Sequence, residues 1–92
     1  MDDVETPVEE PLPEDALREL VLYMATNLVD DPDDVTVAAE SHGSAVHLDL
    51  RVPANELGKV IGRQGRIARA MRTVVMVAGT RHNVRASLDI DS

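Results

Sequence analysis

Leu57-Gly58-Lys59-Val60-Ile61-Gly62-Arg63-Gln64-Gly65-Arg66-Ile67-Ala68-Arg69-Ala70-Met71-Arg72 decides how the rest of this chain is read. Gly62 and Gly65 stand three apart, and five of the nine Lys and Arg residues fall inside the stretch. The pattern predicts the end of a short helix, a tight Gly-Arg-Gln-Gly turn and the start of a longer helix. Glycines at such a junction remove side chains where a ligand backbone must come close. The helix from Arg66 points its free N–H groups and positive dipole end at the same place, which suits a phosphate. Lys59, Arg63, Arg66 and Arg69 add counter-charge, and Arg63 and Gln64 at the tip face solvent. Val60, Ile61 and Ile67 are the aliphatic groups beside that charge, some lining a groove and the rest belonging to the core.

Working outward, the flanking segments read as support for this turn. Pro53 opens the short helix, about Ala54 to Ile61, with Leu57, Val60 and Ile61 turned inward. The second helix runs from about Arg66 to Ala78. Its core stripe is Ile67, Ala70, Met71, Val74, Val75 and Ala78, and Gly79 is its expected stop. Val84, Ala86, Leu88 and Ile90 then alternate with polar residues as a strand. Upstream, Val46, Leu48, Leu50 and Val52 alternate with His47, Asp49 and Arg51, and Val35, Val37 and Ala39 form a shorter strand before the turn Ser41-His42-Gly43-Ser44. These two strands are expected to pair as an antiparallel hairpin.

A first helix is predicted from Glu14 to Val29, with Leu17, Leu20, Val21, Met24 and Leu28 on one stripe, ended by Asp30-Asp31-Pro32-Asp33-Asp34. Leu22, Ala25 and Val29 form a second apolar edge, which either wraps the core or meets a partner. Residues 1–13 hold five acids, three prolines and no basic residue. They are expected to be a disordered acidic tail before a single folded domain, 14–91. That tail is either a solvating appendage or an electrostatic competitor for the basic half, whose removal raises affinity at low salt.

Composition narrows the chemistry. The formal net charge is −8, but residues 1–50 carry −13 and residues 51–92 carry +5. The basic half is therefore where an anionic partner belongs. Tyr23 is the one aromatic residue, so no stacking platform for bases exists and contacts must come from backbone, aliphatic groups and arginine. There is no cysteine, no metal-ligand spacing among His42, His47 and His82, and no nucleophile motif around the serines. Gly58 to Gly65 fits neither a P-loop nor a dinucleotide fingerprint. The expectation is no cofactor, no metal and no catalysis. With neither a secretory signal nor a membrane-length apolar run, a cytoplasmic location is expected.

Val60-Ile61-Gly62-Arg63-Gln64-Gly65-Arg66-Ile67 resembles the signature of the KH domain, with one residue fewer between the second glycine and the isoleucine than the eukaryotic form. The order α-β-β-α-α-β is similar to type II KH domains, and size and layout resemble the bacterial single-KH proteins of the KhpA type. The resemblance covers about Glu14 to Asp91. It implies an α+β fold with a three-stranded mixed sheet and helices on one face. It also implies binding of single-stranded RNA, with the backbone clamped at Gly62, Arg63, Gln64 and Gly65. Ile61 and Ile67 match apolar signature positions. The resemblance sets the variable loop at about Gly79 to Asn83, so that Arg81, and Arg85 beyond it, edge the groove. The RNA-binding set expected is thus Lys59, Ile61, Gly62, Arg63, Gln64, Gly65, Arg66, Arg69 and Arg81. The family implies an RNA chaperone or regulator that forms homodimers or pairs with a KH protein of the KhpB/Jag type. A protein-assembly module on the same fold is the alternative.

Overall fold

The computed structural model describes residues 11–92. The expected acidic tail lies outside the described residues as far as Glu10. Six elements follow in the anticipated order: α1 (Pro13–Thr26), β1 (Thr36–His42), β2 (Ala45–Arg51), α2 (Leu57–Ile61), α3 (Arg66–Arg81) and β3 (Arg85–Asp91). Single 3-10 turns precede β1 at Pro32–Asp34, precede α2 at Ala54–Glu56, and join α2 to α3 at Arg63–Gly65. The sheet order is β1-β2-β3. β1 pairs antiparallel with β2 (Val37 opposite Leu50, Ala39 opposite Leu48), and β2 pairs parallel with β3 (Leu48 opposite Leu88). The fold is therefore α+β with a mixed three-stranded sheet.

Period-2 alternation fixes which sheet face is covered. Val46, Leu48, Leu50 and Leu88 are buried together with Leu17, Val21 and Ala25 of α1, Val60 of α2, and Met71 and Val75 of α3. The alternating positions His47, Asp49, Ser87 and Asp89 lie on the opposite face, where His47 Nδ1 meets Ser87 Oγ at 2.8 Å and Nε2 meets Asp89 at 3.2 Å.

Two helix ends differ from the sequence expectation, each for a local reason. α1 stops at Thr26 rather than Val29. The Thr26 hydroxyl donates to Leu22 O at 2.7 Å, and the Asn27 side-chain amide donates to Tyr23 O at 2.7 Å. Side chains thus occupy the last carbonyls before Pro32 is reached. The N–H groups of Leu28 and Val29 both turn to Ala25 O, and Val29 is buried. Ala25 and Val29 therefore belong to the core, which removes them from the partner surface considered above.

α3 runs through Gly79 to Arg81. Gly79 is buried inside the helix, and a Cβ there would lie 2.7 Å from Ala86 Cβ and 3.0 Å from Val84 O. Its missing side chain serves the approach of helix to strand, not the stop. The stop falls at Asn83, which takes φ 61°. Asn83 N–H donates to Thr80 O and Val84 N–H to Gly79 O, the paired bonds of a Schellman ending with asparagine in the left-handed position. The close contact at Gly79 also rotates the helix. Its buried residues are Ala68, Met71, Val75 and Gly79, whereas Ala70 and Val74, expected in the core, face outward.

Glu56 is the one buried charged side chain among the described residues, 3 % exposed. Its carboxylate accepts the Asp30 N–H at 2.7 Å, the Asp31 N–H at 3.0 Å and Lys59 Nζ at 3.1 Å, tying the exit of α1 to the start of α2. The Asp30 amide bond, helped by Lys59 and opposed by burial, holds the carboxyl below its usual range. A lowered folded-state pKa gives stability that is present above the ordinary value of 4.5 and is lost as pH falls through the folded value. Glu56→Gln is expected to lower the melting temperature at pH 7 by about 5 °C. It should also flatten the decline expected of the unaltered chain on acidification below about pH 4.5. Thermal melts from pH 7 to pH 3 check both.

Candidate nucleic-acid interface

The turn between α2 and α3 holds three positive-φ residues within four positions. Gly62 adopts φ 76°, ψ 172°, Gln64 φ 58°, ψ 23°, and Gly65 φ 74°, ψ 17°. The two glycines do different jobs. A Cβ on Gly62 would fall 2.6 Å from Ile67 Cγ1, so the space it leaves is filled by the chain's own isoleucine. A Cβ on Gly65 would meet only Arg69 Nη1 at 3.5 Å, so Gly65 keeps its outer side open. Open space for a close approach is therefore found at Gly65, and Gly62 supports the turn from within.

The tip is preassembled by arginine. Arg69 Nη1 donates to Gln64 O at 3.0 Å, and Arg66 Nη2 reaches Gln64 Oε1 at 3.4 Å. Arg63 and Gln64 are exposed. No side chain of the described residues caps the start of α3, which leaves its dipole end facing the same space. Among the described residues, Arg63, Arg66, Arg69 and Arg72 have no carboxylate partner within ion-pair distance. Lys59 contrasts with them, for its ammonium is held by Asp30 at 2.6 Å and Glu56 at 3.1 Å. Those two bonds raise its pKa, and its charge is already matched. The structure thus gathers Gly62, Arg63, Gln64, Gly65, Arg66 and Arg69 at one place, keeps Ile61 half-buried beside them, and engages Lys59 elsewhere.

Arg81 stands apart. It lies in the last turn of α3, about 22 Å along the helix from Arg66 at ~1.5 Å per residue. Arg85 does line a groove, of about 390 Å³, with Met76, Thr80, Val84, Ala86, Ser87 and Ala45. This groove wraps the start of β3, against which α3 runs antiparallel. Arg69, Arg72, Met76 and Thr80 follow at helical spacing along α3, continuous from the turn to this groove. Between them, Arg72 Nε donates to Leu88 O at 3.1 Å, on the edge of β3 that has no strand neighbour among the described residues.

Arg72 and Met76 are the residues that sequence reasoning missed. Their three- and seven-residue offsets from Arg69 were legible. The open edge of β3 beside them was not, because it depends on sheet order.

Residues 18–90 match the family model described as KhpA/KhpB, KH domain. The RNA-binding protein KhpA of Halalkalibacterium halodurans is 46% identical over 80% of this chain and 97% of its own length. Those of Aquifex aeolicus and Bacillus subtilis are 45% and 40% identical, over 82% and 80% of this chain and 95% and 91% of theirs. The chain belongs to the KhpA/KhpB KH-domain family.

Proposed function

We propose that this chain binds single-stranded RNA, seating the sugar–phosphate backbone on the Arg63–Gln64 tip and Gly65 and laying the bases along the groove between α3 and the open edge of β3. The observation that carries the reading is the charge placement. In a chain of net charge −8, the arginines around one turn have no carboxylate within ion-pair distance among the described residues, while Lys59 nearby is paired twice. A scaffold with no anionic ligand gains nothing from such a cluster. The name carried by the relatives, RNA-binding protein KhpA, agrees with this reading. The role is that of a binding module without catalysis, acting in the cytoplasm as an RNA chaperone or post-transcriptional regulator.

Salt tests it directly. Three phosphate contacts by Arg63, Arg66 and Arg69 release counterions with a log–log slope of about −2 on single strands. Affinity for a short single-stranded RNA is expected to fall about twentyfold between 50 and 200 mM salt. A flat salt response rules the clamp out.

A second observation supports assembly with another KH chain, either a second copy or a KhpB-type partner. Met24 of α1, Leu28 just beyond its end, and Ala70 and Val74 of α3 line an apolar groove of about 360 Å³ on the outer helical face. Val74 is 41 % and Val77 56 % exposed. Apolar side chains grouped in this way are unusual on a chain that works alone. Val74→Asp is expected to leave a monomer in sedimentation at micromolar concentration. It should also weaken binding to RNA long enough for two clamps by about tenfold or more, with short RNA unaffected. If assembly were the main role and RNA binding secondary, the salt response would be flat and only the sedimentation change would appear.

A further inference from the structure

We propose that Arg72 and Met76 form a base-reading station that selects guanine at one position of the bound strand. The inference rests on the RNA-binding reading above and adds a specificity to an otherwise sequence-tolerant clamp. Arg72 is the fourth arginine of the cluster, but its setting differs from that of the other three. Its Nε is committed to Leu88 O on the unpaired edge of β3. That bond fixes the plane of the guanidinium and leaves the two terminal nitrogens, Nη1 and Nη2, without partners among the described residues. A guanidinium held by Nε presents a flat two-pronged donor edge. Two acceptors side by side match it, and guanine offers N7 and O6 in that arrangement, while adenine has a donor in place of O6.

Position separates a base contact from another phosphate contact. Arg63, Arg66 and Arg69 surround the turn, where the backbone would sit. Arg72 lies one helical turn further along α3, against the strand edge. Met76, the next residue on the same helical face, is 56 % exposed and lines the adjoining groove. A thioether packs well against an aromatic face. In a chain whose one aromatic residue, Tyr23, sits on α1, methionine is the available surface for a base to lie on. Edge and face of the same base are thereby served by residues four apart.

The test uses the full chain and fluorescently labelled uridine hexamers that carry guanine, adenine or 7-deazaguanine at one central position. The unaltered chain is expected to bind the guanine hexamer about tenfold more tightly than the adenine one. It should lose that preference with 7-deazaguanine, which lacks the N7 acceptor. Arg72→Lys keeps the charge but not the fork. It should reduce the preference to less than about twofold, the guanine hexamer losing more affinity than the all-uridine one. Met76→Ala should weaken the guanine hexamer more than the all-uridine one.

Equal binding of guanine and adenine hexamers by the unaltered chain overturns the proposal, as does a preference that survives Arg72→Lys or 7-deazaguanine. A uniform loss across all hexamers on replacing Arg72 marks a phosphate contact and overturns it too. In each of these cases RNA binding itself stands. Absence of binding to every hexamer removes both readings.

Discussion

Arg63→Asp combined with Gln64→Asp is expected to abolish measurable binding of single-stranded RNA while leaving the melting temperature within about 3 °C of the unaltered chain. Both side chains are exposed, so neither contributes packing. Gln64 stands at φ 58°, a left-handed conformation in which aspartate is among the better-tolerated residues. The bond from Arg69 goes to the Gln64 carbonyl oxygen, which the substitution retains. The turn therefore keeps its shape while its tip changes from one positive charge to two negative ones. The new carboxylates repel phosphate and also pair internally with Arg66 and Arg69, withdrawing cations that the substitution does not touch. Each lost charge-assisted contact costs about 1.5–3 kcal/mol, so a drop of at least about a hundredfold follows from two. Gel shift or anisotropy at 50 mM salt reads the affinity, and circular dichroism reads the fold. Binding that persists within threefold moves the RNA site away from this turn.

Gly62→Ala carries the largest expected loss of stability. A side chain there must hold φ 76° with ψ 172°, a region that residues other than glycine avoid. The added methyl would also sit 2.6 Å from Ile67 Cγ1 and 2.9 Å from both Cβ and Cδ1. Relief requires Ile67 to move, and Ile67 packs against the core. Backbone strain and overpacking together cost about 3 kcal/mol, which lowers the melting temperature by roughly 10–20 °C in a domain of this size. Gly65 provides the contrast. Its left-handed backbone admits asparagine, and nothing but the end of Arg69 lies near the added Cβ. Gly65→Asn should melt within a few degrees of the unaltered chain yet bind RNA less well. Equal melting temperatures for Gly62→Ala and Gly65→Asn would contradict the division of labour between the two glycines.

The contrast between these glycines shows what was legible in the sequence and what was not. Spacing alone located the turn, and period-2 alternation at Val46, Leu48 and Leu50 chose the buried sheet face, because both signals are local. Spacing could not say which glycine faces a ligand, since that depends on where Ile67 packs. Gly79 reads as a helix stop until Ala86 is seen across from it. Lys59 reads as a free cation until Asp30 and Glu56 arrive, the former 29 residues earlier in the chain. The outward turn of Ala70 and Val74 follows from the same source. The missing side chain at Gly79 lets α3 settle closely on β3, and that rotates the apolar stripe predicted from periodicity. Each of these differences is a tertiary contact acting on a correct local pattern, whereas the early end of α1 comes from the local bonds of Thr26 and Asn27.

The seating of Gly79 on Ala86 sets a kinetic character as well. With no side chain between helix and strand at one end and Arg72 bonded across the gap near the middle, α3 has no slack against β3. The groove between α3 and β3 is consequently expected to keep its width when RNA is added. Little ordering entropy is spent on capture, and encounter is governed by the pull of the arginines through solvent rather than by a slow opening step. Association should be fast and steeply salt-sensitive, with differences among RNA sequences appearing in how long each one stays.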